Sequence, residues 1–239
     1  MYIDIHAHIL PSVDDGAKST EEALQLLEML KSQNVHAVSL SPHFYPSVET
    51  SLDEYKNRIE NSFSKLNSVK SDALPELYLG SEVHYFNGMS SFSEIDKLCM
   101  GNSKYILVEL PYRSISSRVI NEITELNLNR GLTVVLAHIE RYQKFDGYDA
   151  LLKLISDGFA LGQVNAYSFL HLKTRCKVLS LVKNGFVSFI ASDCHSAEHN
   201  PPRIDEAIEV ISKKLGNSFV HKLKTNNQKI YEEIKGNLG

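Results

Sequence analysis

Only three cysteines occur in the 239 residues, Cys99, Cys176 and Cys194. So odd and sparse a set fits a reducing compartment better than a disulfide scaffold. A cytoplasmic protein is expected. No apolar run is long enough to span a bilayer; residues 132–137, broken by Thr133, are among the longest, and no membrane insertion is expected. No basic-then-apolar leader precedes the first motif, which argues against secretory targeting. Charge is not polarised either. The formal net charge is −4 with Lys and Arg scattered, so nucleic acid is not an expected partner. No Pro-, Ser- or charge-rich linker divides the chain. A single domain spanning 1–239 is expected, long enough to bury a core without disulfide support.

What is present is alternation. Strand-like runs fall at residues 3–5, 37–40, 77–79, 105–110, 133–137, 159–164 and 186–191. Helical periodicity lies between them. Ala23, Leu26, Leu27 and Leu30 follow i, i+3, i+4, i+7 spacing, with Ser19 and Glu22 in capping-box register ahead of them. Leu52, Tyr55, Ile59, Phe63 and Leu66 mark a second helix, and the Ser-rich stretch 64–71 reads as its frayed end. Later helices stop at Gly131, Gly158 and Gly185. Strands alternating with helices imply right-handed βαβ units and parallel pairing. The first strand lacks a Gly-x-Gly-x-x-Gly turn, which removes the main support for a dinucleotide-binding sheet. A β/α barrel is the other architecture, and barrels gather chemistry at the carboxyl ends of many strands.

The chemistry-bearing residues have that distribution. His6 and His8 are two apart in an extended segment, so their imidazoles share one side. Asp14 and Asp15 follow in the loop before Gly16. His43 comes after the second strand, Glu82 the third, Glu109 the fourth, His138 the fifth, and Asp193 with His195 the seventh. The sixth ends at Asn165, a hydrogen-bonding residue that is rarely a metal ligand. Any one of these histidines alone reads as a structural residue. Recurring at strand end after strand end, they read as a metal site. Mixed imidazole and carboxylate donors exceed the needs of one tetrahedral zinc and imply two or three divalent ions, with manganese, iron or zinc as candidates. Asp-Asp-Gly also has a plain reading as a turn. His36, His84, His171, His199 and His221 lack the positional logic, His84 least clearly, and Cys194 should face packing.

Six motifs in order carry a resemblance: His6-Ala7-His8 with Asp15-Gly16, Ser41-Pro42-His43, Gly80-Ser81-Glu82, Val108-Glu109-Leu110-Pro111, Ala137-His138 through Arg141-Tyr142, and Ala191-Ser192-Asp193-Cys194-His195. Together they resemble the metal-dependent protein-tyrosine phosphatases of bacterial capsular polysaccharide operons, in the polymerase-and-histidinol-phosphatase (PHP) superfamily. The resemblance runs from His6 to Pro201-Pro202. It implies a distorted seven-stranded, (β/α)7 TIM-like barrel with a trinuclear centre, usually described with manganese. By that resemblance His6, His8, Glu82 and Asp193 hold a first ion. Glu82 bridges to a second, also held by Glu109 and His138, and Asp15, His43 and His195 hold a third. Arg141 contacts the substrate phosphate. The family pattern has an Arg before the Pro-Pro pair where this chain has Asn200, and Arg203 beyond the pair is the candidate replacement. The implied partner is a phosphotyrosine-bearing protein, the tail of a bacterial tyrosine kinase. Histidinol-phosphate phosphatase is the alternative within the superfamily, and an amidohydrolase-type metallohydrolase the alternative beyond it.

Phosphomonoester hydrolysis needs strong charge neutralisation. Adjacent divalent ions supply it and acidify a bound water, giving hydroxide near neutral pH. A phenol leaving group, with pKa about 10, asks less of a general acid than an alkyl alcohol does. The cysteine route is closed. It needs an Arg six residues past the Cys, and the residues there are Tyr105, Val182 and Asn200.

Overall fold

A computed structural model describes residues 1–236. Nine strands, β1 to β9, and seven α-helices, α1 to α7, alternate through it. Strand β1 (Tyr2–Ala7) is buried at every position, as a parallel strand covered on both faces must be. It pairs with β2 (Val35–Leu40), which pairs with β4 (Glu76–Leu79). A second sheet runs β3 (His43–Phe44), β5 (Glu82–His84), β6 (Tyr105–Glu109), β7 (Thr133–Leu136), β8 (Ala160–Asn165) and β9 (Phe189–Ala191). All of these pairings are parallel.

The two sheets are continuations of each other. β2 leads into β3 across Ser41-Pro42, and β4 into β5 across Gly80-Ser81. Pro42 has no N–H to give a ladder, so the regular pairing breaks there. The break is bridged by Gly80 N–H donating to the Leu40 carbonyl (2.8 Å) and Glu82 N–H to the Pro42 carbonyl (3.0 Å). The fully buried Tyr55 hydroxyl donates to the Pro42 carbonyl at 3.0 Å and meets Ser81 Oγ at 2.8 Å. At the other edge the chain beyond β9 returns to β1. Asp193 N–H donates to the His6 carbonyl (2.8 Å), and His8 N–H to the Cys194 carbonyl (2.9 Å).

The helices α1 (Thr20–Ser32), α2 (Leu52–Val69) and α3 (Ser117–Arg130) begin at serine caps Ser19, Ser51 and Ser116, each accepting from a backbone N–H three residues on. Such a cap contributes about 1 kcal/mol. The expected capping box is displaced by one residue: Glu22 returns to the Lys18 N–H at 2.8 Å, not to that of Ser19. Helix α2 runs through the Ser-rich stretch to Val69 without an early end. Helices α4 (Tyr148–Ser156), α5 (Leu172–Lys183), α6 (Ile204–Leu215) and α7 (Asn217–Lys235) complete the set.

Two apolar clusters form the core. The larger lies between strands and helices. The smaller joins alternate strand residues, Ile3, Ile5, Tyr105, Leu107, Val135 and Phe189 among them, to Ile230, Tyr231 and Ile234 of α7. Helix α7 therefore packs on the side chains that the strands turn away from α1 to α6. Asn227 of α7 accepts from the Ile3 N–H at 2.9 Å. Truncating a filled position here, as in Leu107→Ala, removes about 2–5 kcal/mol of stability.

Candidate metal centre

His6 is the penultimate residue of β1, and His8 lies one residue past its end. Their Nε2 atoms face each other at 3.1 Å. His6 Nε2 is 3.3 Å from Glu82 Oε1 and 3.3 Å from Asp193 Oδ1. His8 Nε2 is 3.4 Å from Glu82 Oε2 and 3.6 Å from Asp193 Oδ1. Register explains the next contacts. His43 stands opposite Glu82 across β3 and β5, and His84 opposite Glu109 across β5 and β6. His43 Nδ1 approaches Glu82 Oε2 to 2.9 Å, yet it makes no hydrogen bond in the structure. His138 Nε2 lies 3.1 Å from Glu82 Oε1 and 3.5 Å from Glu109 Oε1. Asp15, with its side chain 69% exposed, sits at the mouth, 3.5 Å from both His43 Nε2 and His195 Nε2.

Three donor groups emerge, each compact enough for an ion: His8 with Asp15, His43 and His195; His6 with His8 and Asp193; and His43 with Glu82 and Glu109. Every expected ligand except His138 belongs to one of them, and His138 touches two of the carboxylates. The grouping overlaps the expected division without matching it, because His8 and His43 each stand in more than one contact set.

The donor set fits divalent cations on one specific ground. His6 Nδ1 is anchored on Gln163 Oε1 (3.2 Å), His8 Nδ1 on Asp14 Oδ2 (2.8 Å) and His195 Nδ1 on the Asp193 carbonyl (2.9 Å). Each anchor fixes the outer nitrogen as donor and turns the Nε2 lone pair inward. Inward-facing lone pairs among buried carboxylates make a cation receptor.

Electrostatics support the same arrangement. Burial raises the Glu82 carboxyl, but the surrounding imidazoles outweigh that and hold it well below its ordinary range. Asp193 is lowered likewise by His6, His8 and Arg141 against its burial. Burial depresses His6 and His8, yet Glu82 and Asp193 for His6, and Asp14 and Glu82 for His8, hold both above the usual imidazole value. The carboxylates are thus ionised and the site is poised for positive charge.

The backbone is strained where the ligands stand. His138 has φ +33° and Asp193 φ +52°, a left-handed region that non-glycine residues seldom occupy. Gln163 Oε1 receives the His138 N–H at 2.7 Å, and the Asn200 amide donates to the Asp193 carbonyl at 2.6 Å.

Arg141 borders the cluster. One guanidinium nitrogen donates to Asp193 Oδ2 (2.6 Å) and another meets the Tyr112 hydroxyl (2.9 Å), with 43% of the side chain exposed. Arg203 does not join it. Its guanidinium pairs with Glu206 at 2.8 Å, while its neighbours Pro202 and Ile204 bond to Gln33 at the end of α1. Asn200, at the position of the departure, contacts the Asp193 carbonyl and His195 Nδ1.

Sequence reasoning passed over several members. Asp14, read with Asp15 as a loop carboxylate or a turn residue, orients His8. His84, set aside as structural, holds Glu109 Oε2 at 3.0 Å. Gln163 links His6, His138 and Asn165. A signal for Gln163 existed: with Asn165 it repeats on β8 the i, i+2 spacing of the first histidine pair. Tyr112 carried no signal, since an aromatic after Pro111 is an ordinary loop residue.

Comparison with known proteins follows the same lines. Residues 2–232 match the family model described as capsular polysaccharide synthesis, CpsB/CapC. Tyrosine-protein phosphatase CpsB of Streptococcus pneumoniae is 26% identical over 227 residues, covering 90% of this chain and 91% of that protein. CapC of Staphylococcus aureus is 33% identical over 212 residues, covering 83% and 79%. A solved structure from work on YwqE of Bacillus subtilis and CpsB of Streptococcus pneumoniae, described as metal-dependent tyrosine phosphatases, superposes with a TM-score of 0.82 at 23% identity. It covers 98% of this chain and 94% of that one. A dihydroorotase-like domain of Chaetomium thermophilum shares the general fold at a TM-score of 0.56 and 9% identity.

Proposed function

Because this chain belongs to the CpsB/CapC family of capsular polysaccharide synthesis, we propose that it hydrolyses phosphotyrosine on protein with the help of divalent metal. It is an enzyme, a tyrosine-protein phosphatase, as its relatives are named. The observation that carries the chemistry is the convergence of imidazoles and carboxylates from separate strand ends beside one arginine. Nothing in that cluster is a protein nucleophile of the cysteine type; Cys194 is buried, and burial pushes its thiol well up.

His6, His8, Asp15, His43, Glu82, Glu109, His138, Asp193 and His195 are the residues we assign to hold two or three ions. Mixed nitrogen and oxygen donors suit manganese, iron or zinc, and the family resemblance puts manganese first. When bound, such ions neutralise phosphate charge and lower the pKa of water. The chain supplies the rest. Arg141 offers a fork of N–H donors at the rim, oriented by Asp193 and Tyr112, and a phosphate oxygen is its natural acceptor. Arg203, paired with Glu206, is not required by this reading. Asn165 donates to Asp193 Oδ2 (2.6 Å) and keeps that carboxylate turned to the cluster.

The wider reading follows the family. The chain works as one domain over residues 1–239, built as a distorted seven-strand barrel. The hydrogen bonds that join the chain beyond β9 to the end of β1 support closure. Its substrate is the phosphorylated tail of a tyrosine kinase of capsule synthesis, met in the cytoplasm. Among the described residues no helix is long and apolar enough to cross a membrane. The test is direct. Chelator-treated protein should lose hydrolysis of a phosphotyrosine peptide and regain it with Mn²⁺. A fully metal-stripped chain that retains turnover would overturn the reading.

A further inference from the structure

Around the cluster the surface charge is divided. From Gly158 to Ser192 the sequence has no Asp or Glu, but it carries Lys173, Arg175, Lys177 and Lys183 in a chain whose net charge is −4. All four lie on α5. Arg175 is occupied by the Phe169 and Leu170 carbonyls. Lys173 and Lys177 are exposed, as is Lys144 just past Arg141. Lys144 lies over the Phe145 ring, and none of these three lysines has an ion-pair partner among the described residues. A groove of about 200 Å³ joins Lys144 and Lys177, with Arg141 and Thr174 also in its lining. Its one acid, Glu140, is turned inward, accepting from Asn165 N–H (3.1 Å) and the Ser168 hydroxyl (2.8 Å).

The opposite rim has the other sign. One groove of about 630 Å³ holds Asp14, Asp15, Glu49 and Glu54, and its Arg58 is already clamped by Glu49. Another, of about 700 Å³, holds Asp15, Glu21, Glu22 and Glu198 against a single Lys18. Asp15 belongs to both, so the acidic side begins at the cluster, and the basic groove begins at Arg141 on its other side.

We infer that the groove from Arg141 along α5 receives an acidic segment flanking the phosphotyrosine, so that the enzyme selects peptides by charge on one side. This rests on the phosphatase reading, because that reading seats the phosphate at Arg141. Unpaired exposed lysines supply the complement, and like charges at the opposite rim would repel the same segment. An extended peptide advances about 3.3 Å per residue, so only the first few residues beside the phosphotyrosine meet the groove. Attraction at an exposed rim is screened by salt.

The test uses the Mn²⁺-loaded full chain with phosphotyrosine peptides that have acidic, neutral or Lys-rich flanks, and with p-nitrophenyl phosphate, which has no flank. The acidic peptide should show the lowest KM, rising with salt. Lys144→Glu with Lys177→Glu should raise that KM about tenfold, as lost charge complementarity does, and leave p-nitrophenyl phosphate hydrolysis unchanged. Equal KM values for acidic and neutral peptides in the unaltered chain would overturn the inference. So would a double variant that lost binding to phosphatidylserine vesicles while its peptide KM stood still, which would give the groove to a membrane surface. Fluorescence anisotropy with the same peptides reads affinity without turnover. Tighter binding of the acidic peptide by a chain that hydrolysed none would keep the groove and sink the phosphatase reading instead.

Discussion

Asp14 Oδ2 lies 2.8 Å from Nδ1 of His8, on the side of the ring away from Glu82 and Asp193. The same oxygen accepts the His43 N–H at 3.1 Å, and the other oxygen the Gly16 N–H at 2.9 Å. One carboxylate therefore fixes the orientation of one expected ligand and the backbone of a second. Asp14→Ala should leave the fold in place and weaken metal binding about 10- to 100-fold, the usual effect of removing a partner that orients a ligating histidine. Competition with a fluorescent chelator measures it; unchanged affinity would return Asp14 to the role of a turn residue.

Gly16 closes that loop against β1. A Cβ there would stand 2.0 Å from the His8 carbonyl oxygen and 2.6 Å from His8 Cβ. The contact is with backbone, which cannot turn aside. Gly16→Ala should destabilise the protein by about 1–3 kcal/mol, as overpacking does, and displace His8 with it. Denaturant midpoints and bound-metal stoichiometry should fall together. A stability loss with full metal content would show that the loop yields without moving the ligand.

Tyr112 is half-exposed and stacks near-parallel to the His138 and Tyr142 rings at 6.1 and 5.7 Å. Its hydroxyl meets Arg141 at 2.9 Å. Tyr112→Phe keeps the stack and removes one contact from the guanidinium. The net worth of such a hydrogen bond is about 1 kcal/mol, so KM for phosphotyrosine peptide should rise about fivefold with kcat little changed. Arg141→Ala, which removes the fork itself, should cost more. An unchanged KM in Tyr112→Phe beside a large rise in Arg141→Ala would mean that the arginine does not depend on Tyr112 for its orientation.

Much of this site could be read from the sequence because strand ends carry local signatures. His6, His8, Glu109 and Asp193 were found by following apolar runs to their ends, and parallel pairing brought those ends together. Two strands were read short. Runs 37–40 and 77–79 continue beyond Pro42 and Gly80 as β3 and β5, so His43 and Glu82 stand on strands and not in the loops after them. Proline and glycine are turn signals in a single sequence; only the bridging bonds to Leu40 and Pro42 show that pairing resumes. Asp14 as an orienting residue, His84 and Gln163 stayed hidden for another reason. They act on ligands through side-chain contacts between residues 6 to 157 positions apart, and no periodicity records such contacts. Arg203 was proposed by proximity to Pro201-Pro202 in sequence, which says nothing about which way a helix start turns its side chain.

Metal loading should release protons. In the metal-free protein, burial works to lower His6 and His8, but Glu82, Asp193 and Asp14 outweigh it and hold both imidazoles above their ordinary value, so each keeps a proton to higher pH than a free imidazole does. A cation needs the neutral ring. Binding must therefore displace those protons, and affinity must fall as pH drops through the raised imidazole range. The sign follows from the linkage: the metal-free state binds more protons than the loaded one, so acid favours it. Calorimetry of Mn²⁺ binding in two buffers of different ionisation enthalpy should show net proton release at pH 7, and apparent affinity should weaken steadily towards pH 5. Heats independent of the buffer would show that the inward nitrogens are already unprotonated. The imidazole–carboxylate pairs would then no longer account for how charge is held at this centre before the ions arrive.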